Sequence, residues 1–152
     1  MTQEDIELLA TDISARVKYD VKVQLIHNEK TMDKYKTYLH PHLLDPIRVI
    51  AFINYEVRGC SKYKLNIGGE VICIDDCMPF LRPMSSMTEE EKKELGNFAA
   101  AIMFASQNKN HLFQLTREAL VGDFFNKHHI DYRGLIEKGL AKIAPEGMYN
   151  LK

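Results

Sequence analysis

The sequence predicts a single α+β domain over residues 1–152: an N-terminal helix, an antiparallel sheet of about three to four strands, and C-terminal helices packed on one face. Three observations carry that expectation. An amphipathic repeat opens the chain, alternating and β-branched segments run between Val21 and Ile74, and a capping box introduces helical periodicity in the second half. Helix, then strands, then helices is the order of a segregated fold, whereas a parallel α/β sheet would alternate them. With 152 residues, 45% of them hydrophobic, the chain is long enough to bury one core without disulfide or metal staples.

The elements follow in order. Thr2 is an N-cap, with Glu4 and Asp5 in the first turn, and Ile6, Leu9, Ile13 and Val17 recur at helical spacing, predicting a helix over 3–17. Tyr19-Asp20 breaks that pattern. Val21, Val23 and Leu25 then alternate with Lys22 and Gln24, as in a strand with one buried face. Residues 28–46 are polar, lack a period and hold Pro41 and Pro46, so a loop with room for one short helix is expected. Arg48–Val57 is an uninterrupted β-branched and aromatic strand. Arg58-Gly59 turns it into a second strand near Lys62–Ile67, and Gly68-Gly69 suits a tight hairpin into Glu70–Ile74.

Asp75-Asp76 is expected to cap a short helical turn over Cys77–Leu81, ended by Pro83. Thr88 and Glu91 form a capping box with three glutamates in the first turn. Leu95, Phe98, Ala99, Ile102 and Met103 carry that helix to about Ala105. After the polar break Asn108–Asn110, a helix spans 111–127 through Leu112, Leu115, Ala119 and Leu120. Asp131 caps a short helix containing Leu135 and Ile136, with Gly139 as its stop and Tyr149 as a final anchor on the core.

Charge narrows the function classes. The net charge is -1, which disfavours a dedicated nucleic-acid binder. That neutrality is segregated: residues 1–15 carry -4, 16–64 carry +5, 66–95 carry -4 and 96–152 carry +2. Lys30, Lys34 and Lys36 lie beside Tyr35 and Tyr38, a mixture of amines and rings that can grip single-stranded nucleic acid, although a solvated loop is the commoner role. The acidic N-terminus has no basic start and no apolar stretch behind it, so neither a signal peptide nor a membrane span is expected. Cys60, Cys73 and Cys77 make an odd count, which points to reduced thiols and a cytoplasmic protein.

No constellation specifies an enzyme. A zinc site from Cys73 and Cys77 would need His40 and His42, or His128 and His129, and neither pair matches a standard knuckle. His128-His129 reads as a helix end, Ser85-Ser86 as a loop leading to a helix start, and Asp75-Asp76 as a cap rather than a cation site. A helix-turn-helix over 111–139 would have a short second helix in a nearly neutral segment. The sequence has no Gly-x-Ser-x-Gly elbow, phosphate-binding glycine loop or His-Glu-x-x-His. No catalytic residue, metal or cofactor is therefore expected.

Three stretches are recognisable beyond their physics: FLRPMSSMTEEEKKEL at residues 80–95, HHIDYRGLIEKGLAKIAPEGMYN at 128–150, and the opening MTQEDIELLATDISARVKYDVK. Together they resemble a family of small uncharacterised proteins of gut anaerobes, met among prophage and mobile-element genes. The resemblance leaves out residues 24–70 and brings no activity and no site residues. It implies an accessory role linked to phage or mobile DNA.

The expected function is a non-enzymatic adaptor that binds an unidentified protein partner. Its candidate contact set is Lys30, Lys34, Tyr35, Lys36, Tyr38, Arg48 and Arg58, with Tyr35, Tyr38 and Arg48 as anchors because interfaces favour Tyr and Arg. The alternative is a nucleic-acid accessory protein using Lys30, Lys34, Lys36 and Arg58, and a small enzyme comes third.

Overall fold

The computed structural model describes residues 1–26, 46–57, 60–67, 70–105 and 111–149. Helix α1 (Gln3–Arg16) is followed by a 3-10 turn (Val17–Tyr19) and strand β1 (Lys22–Leu25). Strands β2 (Ile47–Val57), β3 (Cys60–Ile67), β4 (Glu70–Cys73) and β5 (Cys77–Leu81) come next. Helices α2 (Glu89–Ala105) and α3 (His111–Lys127) precede the two-residue strand β6 (Lys142–Ile143). The fold is α+β as expected, but its sheet has six strands in the order β4-β3-β2-β1-β5-β6, and β6 runs parallel to β5. The expected three to four antiparallel strands correspond to β1 through β4.

The two added strands explain each other. Cys77–Leu81 is a strand, not the expected helical turn, because Cys77, Met78 and Pro79 pair with Leu25, Gln24 and Val23. A 3-10 turn at Ile74–Asp76 lets the chain pass from β4 to β5. Pro79 survives inside the sheet because of its parity. Even-numbered positions along β5 direct their backbone polar groups at the β1 side, as Asp76 O just before the strand does to Ile26 N, and just after it Arg82 N bonds His129 O on that same edge. The odd positions face β6, where pairing involves only Phe80 and Leu81, so the missing N–H of Pro79 interrupts no ladder.

Helix α1 lays Leu9 and Ile13 against Val21, Val23, Leu25, Val49, Leu65, Ile67 and Ile72, all buried. Thr2 and Asp5 close a capping box at its start, so the sequence N-cap is in place. Beneath α1 lie Leu135 and Leu140, carried by consecutive turns rather than by the expected short helix. Asp131 still caps them, accepting from Leu135 N at 2.9 Å and Ile136 N at 2.8 Å. Gly134 and Gly139, both with φ near +70°, bend the segment before a helix can propagate.

A second cluster joins the helices: Met87, Phe124, Phe125 and Ile130, with Leu95, Phe98, Val121 and Tyr132 against it. Ala119 and Leu120, expected on the apolar face of α3, are exposed. Among the described side chains the packing face runs through Val121, Phe124, Phe125 and His128, at helical spacing, while Leu112 and Leu115 lie outside the described side chains. No helix among the described residues is long and apolar enough to cross a membrane.

Candidate functional site

Of the predicted contact set, Lys30, Lys34, Tyr35, Lys36, Tyr38 and Arg58 lie outside the described residues, as does the whole 28–45 stretch. Arg48 is described. It stands on β2 directly opposite Lys22 and is exposed, ion-paired with Asp20. Asp20 holds the left-handed backbone (φ 61°) that ends the turn after α1. Lys22 is also engaged, donating to Met148 O at 3.3 Å with its ammonium 5.9 Å from the centre of the Tyr149 ring.

What the structure brings together lies elsewhere, around the end of α3. Glu91 is the N3 residue of the capping box, accepting from Thr88 N at 2.8 Å while Thr88 Oγ1 accepts from Glu91 N at 3.2 Å. The same carboxylate accepts from Arg82 Nη1 at 2.7 Å, from Arg82 Nη2 at 2.9 Å, and pairs with His128 Nδ1 at 2.9 Å. A carboxylate has about four acceptor sites, so Glu91 is saturated. Burial alone would raise its pKa, but Arg82, Thr88 N–H and His128 outweigh that and hold it at about 2. An ionised carboxylate only accepts, so His128 Nδ1 carries the hydrogen. Arg82 also donates to Ser86 O at 2.8 Å.

On the other side of the same helix end sits Arg16, fully buried. Its Nε and Nη2 grip Asp12 at 2.8 and 2.9 Å, and it donates to Phe125 O at 3.2 Å and Ile130 O at 2.9 Å. Arg133 adds a third bond to Asp12 at 2.7 Å and lies over the Tyr132 ring at 4.3 Å. The helix end is thus held between two arginines, each neutralised by a buried carboxylate. Asp12 and Arg16 had a sequence signal: with Leu9 and Ile13 they fall at i, i+3, i+4 and i+7, the buried stripe of α1.

The residue after this pair of clamps is a wedge. His129 has a left-handed backbone (φ 54°) and its ring stacks on Tyr149 with centroids 3.6 Å apart. Tyr149 Oη accepts from Lys22 N at 3.0 Å and donates to Phe80 O at 2.9 Å, filling the gap where β1 and β5 diverge. Past it, residue 130 takes the place of a strand beside Arg82. Burial, with Arg16 nearby, lowers the pKa of His129 to about 3, and burial raises that of Tyr149 to about 12. Both groups are neutral at pH 7.

The expected absence of a cysteine–histidine cluster meets a smaller grouping. Ligand atoms of Cys73, Asp75 and Asp76 lie within 4.8 Å of one another, and Cys77 Sγ turns to Cys73 O at 3.6 Å. His128 and His129 serve the helix end instead, and His40 and His42 lie outside the described residues.

Between the start of α2 and residues 143–149 runs an open cleft of about 990 Å³. Arg82, Glu91, His128 and Tyr149 form part of its wall, and Glu90, Glu94 and Glu146 line it further out. Sequence reasoning assigned His128 and Glu91 to separate helix ends and missed that the fold closes them on each other.

No protein-family model matches the chain, and comparison with curated proteins and with solved structures gives no match.

Proposed function

We propose that this protein is a non-enzymatic binding module that engages another protein, in an accessory role of the phage- or mobile-element-linked kind that its resemblance implies. One observation carries the reading. The one acid–histidine pair in a cleft among the described residues is spent internally, because all four acceptor sites of Glu91 are filled by Arg82, Thr88 and His128. A carboxylate held at about 2 and already saturated is a brace, not a proton acceptor poised near neutral pH. The surface supports recognition instead. Arg48 and Ile50 are exposed on either side of buried Val49, where β2 bulges against β3. A charged and an apolar residue displayed together suit a protein contact. The alternative nucleic-acid reading rests on Lys30, Lys34, Lys36 and Arg58, which lie outside the described residues.

The test is capture of the tagged protein from its host, with retained protein and nucleic acid both identified before and after nuclease treatment. A protein that survives nuclease and rebinds in purified form is the expected result. Retention of nucleic acid alone, with affinity falling steeply as salt rises, would remove the reading.

A further inference from the structure

We propose that the cleft between the start of α2 and residues 143–149 is a docking groove for a basic, partly aliphatic peptide segment of the partner protein. This rests on the protein-binding reading above and gives it a place and a chemistry.

Charge is the first argument. Among the described residues of the wall the one Lys or Arg is Arg82, neutralised by Glu91, and Glu90, Glu94 and Glu146 have no ion pair with any described residue. Three carboxylates around one groove repel phosphates and attract Lys or Arg. The positive end of α2 offers no anion site, because Glu89, Glu90 and Glu91 already fill its first turn.

A second, independent observation points the same way. His128 lines the cleft with a side chain only 8% exposed, and its Nε2 has no hydrogen-bond partner. With Nδ1 taken by Glu91, Nε2 is the ring nitrogen left without a partner. A buried polar nitrogen without a partner is rare in a finished structure. Among groups that could enter beside it, the surrounding carboxylates select an ammonium or guanidinium.

The aliphatic requirement comes from Ile143, 61% exposed on β6, the strand that ends the sheet. Together with Pro83 and Pro145 it gives the groove an apolar strip. Both walls are fixed before any ligand arrives, one by the capping box and Arg82, the other by Tyr149. Binding therefore orders the peptide alone, which favours affinity.

Fluorescence anisotropy on the whole protein tests this with three labelled peptides of equal length: alternating Lys-Leu, alternating Glu-Leu and alternating Lys-Ser. The Lys-Leu peptide is expected to bind at least about tenfold more tightly than either other peptide. The E90Q/E94Q/E146Q variant, altered only at surface carboxylates, should lose about tenfold, and Ile143→Ser severalfold, while Arg48→Glu leaves the affinity unchanged. Thermal midpoints confirm that each variant is folded. Equal binding of Lys-Leu and Glu-Leu, no binding of Lys-Leu, or wild-type affinity in the triple variant would overturn the groove. If the triple variant binds normally and Arg48→Glu does not, the contact is on the sheet and the protein-binding reading stands without the groove. If capture returns nucleic acid alone, the broader reading has failed as well.

Discussion

His129 and Glu91 make this protein acid-sensitive through opposite chemistry. An unfolded histidine binds a proton below about 6.5, whereas folded His129, buried and close to Arg16, does so only near 3. Between those values the unfolded state binds more protons, so stability falls as pH falls, by about 5 kcal/mol over the whole window. Glu91 contributes stability that is complete above its unfolded value of 4.5 and is lost as pH falls through about 2, about 3 kcal/mol in all. The loss should therefore begin with the histidine and continue with the glutamate. Urea unfolding at several pH values checks this. His129→Phe keeps a ring against Tyr149 but cannot titrate, so its stability should depend less on pH between 6.5 and 4 than that of the wild type. Glu91→Gln retains an acceptor for Thr88 N but removes the charge facing Arg82, whose side chain is 17% exposed. A loss of about 2–4 kcal/mol is expected at pH 7, against about 1 kcal/mol for Thr88→Ala, which removes only a cap.

At the scale of elements, the wedge between β1 and β5 rests on one hydroxyl. Tyr149→Phe keeps the stack on His129 but strips a bridge from Lys22 N and Phe80 O, leaving two backbone groups unpaired where the strands part. The expected cost is about 1–3 kcal/mol by denaturant unfolding, with the denaturant slope unchanged. The elements most legible in the sequence were those whose signals are local. Thr2 with Asp5 and Thr88 with Glu91 mark helix starts through contacts three residues apart, and alternation at Val21, Val23 and Leu25 marks β1. β5 was not legible, because a five-residue apolar run containing Pro79 becomes a strand only when β1 pairs with it. β6 has no periodicity at two residues, and the turns at 134–139 show a helix's cap and stop without room for the helix. For the site, Glu91, His128, His129 and Tyr149 were read in separate roles, and Asp12, Arg16, Arg82 and Arg133 were not singled out. The joins were not legible: His128 meets Glu91 across 37 residues, and Arg16 meets Ile130 across 114.

Those long joins give the whole molecule its coherence. The segment 125–131 is gripped by Arg16 through Phe125 O and Ile130 O, and by Arg82 through His128 O, through Glu91 on His128 Nδ1, and by the backbone exchange with His129 and Asp131. One clamp roots in α1, the other in the β5–α2 connection, so the apolar cluster under α1 and the one between the helices cannot separate without breaking both. The molecule should therefore unfold as one unit, and hydrogen exchange reads this directly. The amides of Lys22, Arg82, Ile130 and Asp131 each donate within this junction. They are expected to exchange only through global opening, at a common free energy. Asp12→Asn weakens a carboxylate that holds both Arg16 and Arg133 and should cost about 3–5 kcal/mol, because it leaves buried guanidinium charge uncompensated. If the two clamps act as one, that substitution lowers protection at Arg82 and Lys22 by the same amount as at Ile130, although neither residue touches Asp12. Protection lost at Ile130 alone would mean that the α1 clamp opens independently and that the two halves of the fold are only loosely coupled.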